Sequence, residues 1–244
     1  MTTIAADAPL AVAVTEAIQT GDLASLQRLL SENPDLASAR LGDDEEGGWS
    51  RTLLHVATDW PGHLPNSAAV VAALIDAGAE VNARFVGPHA ETPLHWAASS
   101  DDVEVLDALV DAGADLEAPG AVLGGGTPLA DAVGFGQWQA ARRLLDRGAR
   151  TTLWQAAALG LLDRVEEQCA GANPPTPAKV TDAFWQACHG GQRQTAEYLL
   201  NRGADRNWVG WNDQTPLDIA QAQGADEVIQ WLRSQGARSA AELK

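Results

Sequence analysis

Glu91-Thr92-Pro93-Leu94-His95-Trp96-Ala97-Ala98 is the stretch that decides the fold. Thr before Pro reads as a helix start, because the Thr side chain can cap free backbone N–H groups and Pro stands where no backbone donor is needed. Leu94 and the Ala97-Ala98 pair then give a narrow helix whose small face a neighbour can approach closely. About twenty residues on, Asp111-Ala112-Gly113-Ala114-Asp115 places a Gly where a helix ends in the left-handed conformation. One such helix pair cannot bury its own apolar face, so it must recur and stack.

It does recur. The start signal returns as Thr52-Leu53-Leu54-His55, Thr127-Pro128-Leu129-Ala130 and Thr215-Pro216-Leu217-Asp218, with degraded copies at Thr151-Thr152-Leu153-Trp154 and Asp182-Ala183-Phe184-Trp185. Stops stand at Gly78-Ala79, Gly113-Ala114, Gly148-Ala149, Gly171-Ala172, Gly203-Ala204 and Gly236-Ala237. Their spacings are 35, 35, 23, 32 and 33 residues, four of them near the ~33-residue ankyrin period. The chain thus resembles ankyrin-repeat proteins over nearly its whole length. It looks like many bacterial members, with similar Trp-Pro-Gly-His and Leu-Trp-Gln-Ala-Ala stretches at residues 60–63 and 153–157. The resemblance implies an all-α solenoid of about six to seven helix-turn-helix units with hairpin-like finger loops. It implies binding of some kind and brings no known reaction. The units expected are a divergent N-terminal cap over 10–36, then 50–80, 91–115, 126–150, 151–172, 176–205 and 214–237, with a tail over 238–244, all in one domain.

The charge balance of 16 Lys+Arg against 33 Asp+Glu gives a net charge of −17. A surface this acidic repels phosphate backbones and anionic lipid. The partner expected is therefore a protein with a basic or partly apolar surface, with no nucleic acid and no membrane. Cys169 and Cys188 are too few for a disulfide framework and suit a reducing compartment. The first thirteen residues lack a basic start, contain Asp7 and have too short an apolar stretch for a signal or a span. The expectation is a cytoplasmic monomer.

Departures from the repeat give the chain its individuality. Helices are expected over Ala11–Thr20 and Asp22–Ser31 in the cap. Gly42-Asp43-Asp44-Glu45-Glu46-Gly47-Gly48-Trp49 reads as a hydrated acidic loop with Trp49 as a candidate anchor. In repeat two, a first helix over Thr52–Asp59 is followed by Trp60-Pro61-Gly62-His63-Leu64-Pro65-Asn66 before the second begins near Ser67. Pro61 and Pro65 stiffen a turn that ordinarily needs one or two residues. Leu116–Gly126 is glycine-rich, but no Lys-Ser/Thr follows and no βαβ unit surrounds it, so a phosphate loop is not expected. Between Gly148 and Thr151 the finger is missing. Asn173-Pro174-Pro175-Thr176-Pro177 is a rigid connector that starts the next helix.

Counting seven and eight residues on from each Thr position turns Asp59 and Trp60, Ser99 and Ser100, and Gly134 and Phe135 toward the concave groove. Trp60 and Phe135, with Asp59, Ser99, Ser100, Asp101 and Asp102 around them, would suit a basic, partly apolar peptide. Trp208 and Trp211 on the last finger form a second candidate contact. The predicted function is non-catalytic protein binding, with no cofactor and no metal. The alternative is a small-molecule or enzymatic pocket at the Trp60–His63 insertion, with Asp59, His63 and His89 as acid–base candidates. His55, Asp59 and His63 have a metal-like spacing, but His55 stands where ankyrin units use His to tie one turn to the next. Pro61-Gly62 also breaks the helix before His63. Trp154 and Trp185 read as replacing that His in their own repeats.

Overall fold

The computed structural model describes residues 2–43 and 48–244. Asp44, Glu45, Glu46 and Gly47 of the expected acidic loop lie outside the described residues. The chain divides into two compact units, residues 1–149 and 150–244. The division falls at the repeat boundary where the finger is missing.

The first unit holds α1 (Pro9–Thr20), α2 (Leu23–Glu32), α3 (Leu53–Ala57), α4 (Ser67–Asp76), α5 (Pro93–Ser99), α6 (Val103–Asp111), α7 (Pro128–Gly134) and α8 (Trp138–Asp146). The first repeat-two helix is shorter than the Thr52–Asp59 expected, because Thr52 and Thr58 are its caps. Thr92 shows how each pair begins. It is extended (φ −94°, ψ 167°), Pro93 is the first helical residue, and the Thr92 N–H donates to His95 Nδ1 at 3.1 Å. The pair ends at Gly113, whose φ of +90° lets the Ala114 N–H reach the Leu109 carbonyl at 3.0 Å.

Helices this short are marginal alone, so packing holds them. The inner helices α3, α5 and α7 pack in sequence, as do the outer helices α4, α6 and α8. Leu54, Leu74, Leu94, Leu106, Leu109, Leu129 and Leu144 are fully buried between the two rows. Each contributes about 2 kcal/mol of apolar burial. Ala97 and Ala98 are fully buried as well, which is what close approach of α5 to its neighbours requires.

Beside its helices the first unit carries a small sheet. Three strands, β1 (Thr3–Ala5), β2 (Arg40–Gly42) and β3 (Ser50–Thr52), form a sheet in that order, β1 parallel and β3 antiparallel to β2. Thr3 pairs with Arg40, and Arg40 with Thr52. The Arg40 guanidinium holds the sheet to the next loop by donating to the Ser50 and Arg84 carbonyls, both at 2.7 Å. Three-residue strands carry no readable alternation, and their partners are distant in sequence, so no local pattern announces them.

The second unit holds α9 (Leu153–Ala158), α10 (Leu162–Ala170), α11 (Pro177–His189), α12 (Arg193–Asn201), α13 (Pro216–Ala222) and α14 (Asp226–Ser234). Phe184, Leu199, Leu217 and Leu232 fill its core. Two expectations are corrected here. The helix of repeat five starts one residue later than Thr151-Thr152-Leu153-Trp154 suggests. Thr152 is the cap, and its N–H donates at 2.8 Å to Gln155, so Gln155 rather than Trp154 takes the His position. Gly171 is also no left-handed stop. Its φ is −63°, and the chain leaves α10 extended toward Asn173-Pro174, where the proline keeps the preceding residue out of helix. The odd 23-residue spacing comes from the missing finger between Gly148 and Thr151, not from this ending.

Candidate interaction surface

The repeat-two insertion is held from both sides. On one side the Asn66 amide donates to the Gly21 carbonyl at 3.0 Å. On the other, the His63 N–H donates to Asp102 at 2.7 Å, and His63 Nε2 donates to the Ser100 carbonyl at 3.1 Å. Gly62 (φ +75°) approaches Ser100 so closely that an added Cβ would lie 2.7 Å from the serine Cβ. The long turn is thus a strap across three repeats. What it leaves outside is Trp60, 81% exposed.

Around Trp60 the polar groups are already matched. Asp59 accepts the Trp60 N–H at 2.9 Å and forms an ion pair with Arg51. The Arg51 guanidinium lies 5.8 Å from the ring centroid of Trp49, itself partly exposed. Asp59, His63 and His89 have no hydrogen bond or ion pair with one another among the described residues. His89 is exposed on the loop before Thr92 and acts electrostatically on Glu91. Among the described residues no group of three or more His, Cys, Asp or Glu could hold a metal ion.

Repeat three is where the sequence-based surface needs correction. Ser100 and Asp102 are buried, and Asp102 caps α6 as well as holding His63. Asp101 has left-handed backbone (φ +56°) and accepts the Ala140 N–H at 2.7 Å and the Gln139 amide at 3.2 Å. The Ser99 carbonyl accepts from the Gln137 amide at 2.9 Å. The Asp101 and Asp102 carboxylates and the Ser99 and Ser100 carbonyls thus join one repeat to the next, while the Ser99 hydroxyl donates to the Trp96 carbonyl of its own helix. A count from the Thr position gives direction along a helix, not whether the following repeat already occupies it.

A row of buried ties runs beneath this surface. His55 Nδ1 faces Thr52, and Nε2 donates to the Glu91 carbonyl at 3.1 Å. His95 repeats the geometry with Thr92 and the Gly126 carbonyl at 3.3 Å. In the second unit Trp185 does the same job with its indole N–H, 2.9 Å from the Gln214 carbonyl. Each accepting carbonyl belongs to the residue just before the next Thr cap.

Burial depresses the imidazoles, His55 to about 3 and His95 to about 4. Their unfolded counterparts titrate near 6.5. The stabilisation is therefore complete above about pH 6.5 and is lost as pH falls toward 4 and 3. His95→Gln keeps the cap contact that Gln155 shows to be sufficient, and it does not titrate. The loss of urea-unfolding free energy between about pH 7 and 4.5 is expected to be smaller in that variant by on the order of 2 kcal/mol.

The Pro119–Gly126 finger closes on itself through the Gly120 N–H to the Gly125 carbonyl and the Ala121 N–H to the Gly126 carbonyl, both 3.0 Å. Leu123 lies directly over Gly134, where a Cβ would stand 1.8 Å from its Cδ1. Val122, Leu123 and Phe135 are all partly exposed. In the second unit, Trp208 packs against the core. Trp211 is 57% exposed and donates to Asp182 at 3.1 Å. Asp182 also lines a cavity of about 690 Å³ with Trp154, Pro174, Pro175 and Lys179. Sequence reasoning missed that cavity. The signal was there in the proline run beside a repeat that lacks its finger.

The family model for ankyrin repeats (three copies) matches residues 66–153 and again 153–241. Among solved structures, the crystal structure of the human ASB11 ankyrin repeat domain is similar at 21% identity with a TM-score of 0.52, covering 92% of this chain and 97% of that one. At that identity the likeness is one of fold.

Proposed function

Because the chain belongs to the ankyrin-repeat family, whose repeats generally mediate protein–protein interaction, we propose that it is a non-catalytic module gripping a partner protein through the exposed aromatics and fingers of its first unit. The observation that carries this reading is Trp60, an almost fully exposed indole on a turn pinned to repeats on either side. A large aromatic held rigid loses little entropy when covered, which is the profile of a binding hot spot. Trp49, Phe135, Val122 and Leu123 add partly exposed apolar area in the same unit. With a net charge of −17, the partner proposed is basic or partly apolar, in a reducing cytoplasmic compartment.

The pocket alternative gains nothing from the geometry, since Asp59 is committed to Arg51 and His63 to the strap.

Capture from lysate of the source organism, quantified for wild type beside Trp60→Ala and Phe135→Ala, tests the proposal. One protein is expected to lose at least tenfold in recovery with Trp60→Ala, about 1.4 kcal/mol or more. Its binding is expected to weaken as salt rises. Equal recovery of every protein by wild type and both variants would sink the idea.

A further inference from the structure

Asp131 occupies the helix position filled by Val56 and Trp96 in the two preceding repeats. It is fully buried, yet no donor completes a hydrogen bond with either of its oxygens. Glu91, also buried, faces it and receives the Trp96 indole N–H. Desolvation, then the facing Glu91, push the Asp131 carboxyl up to about 7, and burial raises Glu91 too. Two carboxylates in contact repel, and only Glu91 has a donor, the Trp96 indole, to offset its charge. One proton turns the same contact into a charge-assisted O–H···O hydrogen bond.

The finger roofs this pair. Gly120 comes so close to Ala90 that a Cβ would meet its carbonyl oxygen at 2.2 Å, and Leu123 covers Gly134 at the far end of α7. Between these ends the Val122 and Leu123 N–H groups lean toward Asp131 without completing hydrogen bonds. The finger, Pro119–Gly126, contains no titratable residue. From the 84–91 loop, Arg84 bridges the Ala90 and Pro119 carbonyls, and His89 stands near Glu91. From α5 comes His95, held neutral by burial, with Asp115 and Arg84 acting on it. Glu117 sits in the chain just before the finger.

We infer that Glu91 and Asp131 share a single proton, and that this proton clasps the 119–126 finger onto α7. Its loss to solvent leaves two buried anions whose repulsion is relieved by lifting the finger. Lifting also bares α7 beneath Leu123.

Hydrogen–deuterium exchange, corrected for the intrinsic pH dependence, reads this directly. Amides at 120–126 are expected to be at least tenfold less protected at about pH 8.5 than at about pH 6, a difference of about 1.4 kcal/mol in opening. The 209–214 finger of the second unit should hold its protection. Asp131→Asn supplies a permanent donor to Glu91 and should abolish the pH dependence. Glu91→Gln provides the same test if the first variant folds poorly. Unchanged protection in wild type overturns the inference. So does equal loss in both fingers, or a pH response that survives both substitutions.

Discussion

Replacing His55 with Ala is expected to destabilise the first unit by about 3 kcal/mol. The imidazole is fully buried, and both nitrogens are engaged. Removing it leaves the Thr52 N–H and hydroxyl without the ring nitrogen on one side, and on the other takes one of two donors from the Glu91 carbonyl, which keeps the Phe85 N–H at 2.7 Å. A buried polar group left unpaired costs about 1–3 kcal/mol. The ring also packs edge-on against Trp96, with centroids 4.9 Å apart, so its loss opens a void. His55→Gln separates these contributions. Gln155 already performs the capping half of the task in repeat five, so the glutamine variant is expected to recover about half of the loss. Urea unfolding followed by far-UV circular dichroism measures both. If His55→Ala unfolds at the wild-type urea concentration, the inter-repeat tie is energetically idle.

Trp185→Ala should cost about 3–5 kcal/mol in the second unit, the range for emptying a buried indole site. The side chain is 3% exposed and sits among Phe184, Cys188, Leu217 and Trp231 in one core. Trp185→Phe retains most of the volume but removes the indole N–H and leaves the Gln214 carbonyl only the Gly210 N–H at 2.9 Å, for an expected cost of about 1 kcal/mol. The ratio of the two losses tells how much the indole serves as filler and how much as a tie. Equal losses would mean that the N–H contact dominates and that the volume is recovered by repacking. Repeat arrays can unfold unit by unit, so a probe within 150–244 is required.

Much of this architecture was legible because it is local. A Thr-Pro pair, two alanines and a following Gly act within a few residues of themselves, so they reveal helix starts, small faces and stops wherever they occur. Gly171 shows the limit. The same letter sits at a helix end without the left-handed turn, its φ being −63°. Trp154 shows another, since two adjacent threonines allow two cap positions and only packing chooses between them.

The candidate surface was read less well, and the reason is physical. Trp60 and Phe135 were placed by counting, and both are exposed. Ser100 was counted the same way and Asp101 and Asp102 were added as its polar neighbours, yet the strap takes the Ser100 carbonyl and Asp102, and the following repeat takes Asp101. Asp131 drew no notice in the sequence because an acidic residue in a helix looks like solvated surface. Only the finger folded over it makes it a buried charge.

By itself, then, the sequence determined the repeat, its length, the helix pairs and the acidic character of the whole, since each depends on neighbouring residues or on composition. The tertiary structure alone decided which polar residues remain available to a partner, that Arg40 and Thr3 meet in a sheet, and that Glu91 faces Asp131. Those outcomes depend on contacts between residues some forty positions apart, where burial rather than residue type sets what a side chain can do.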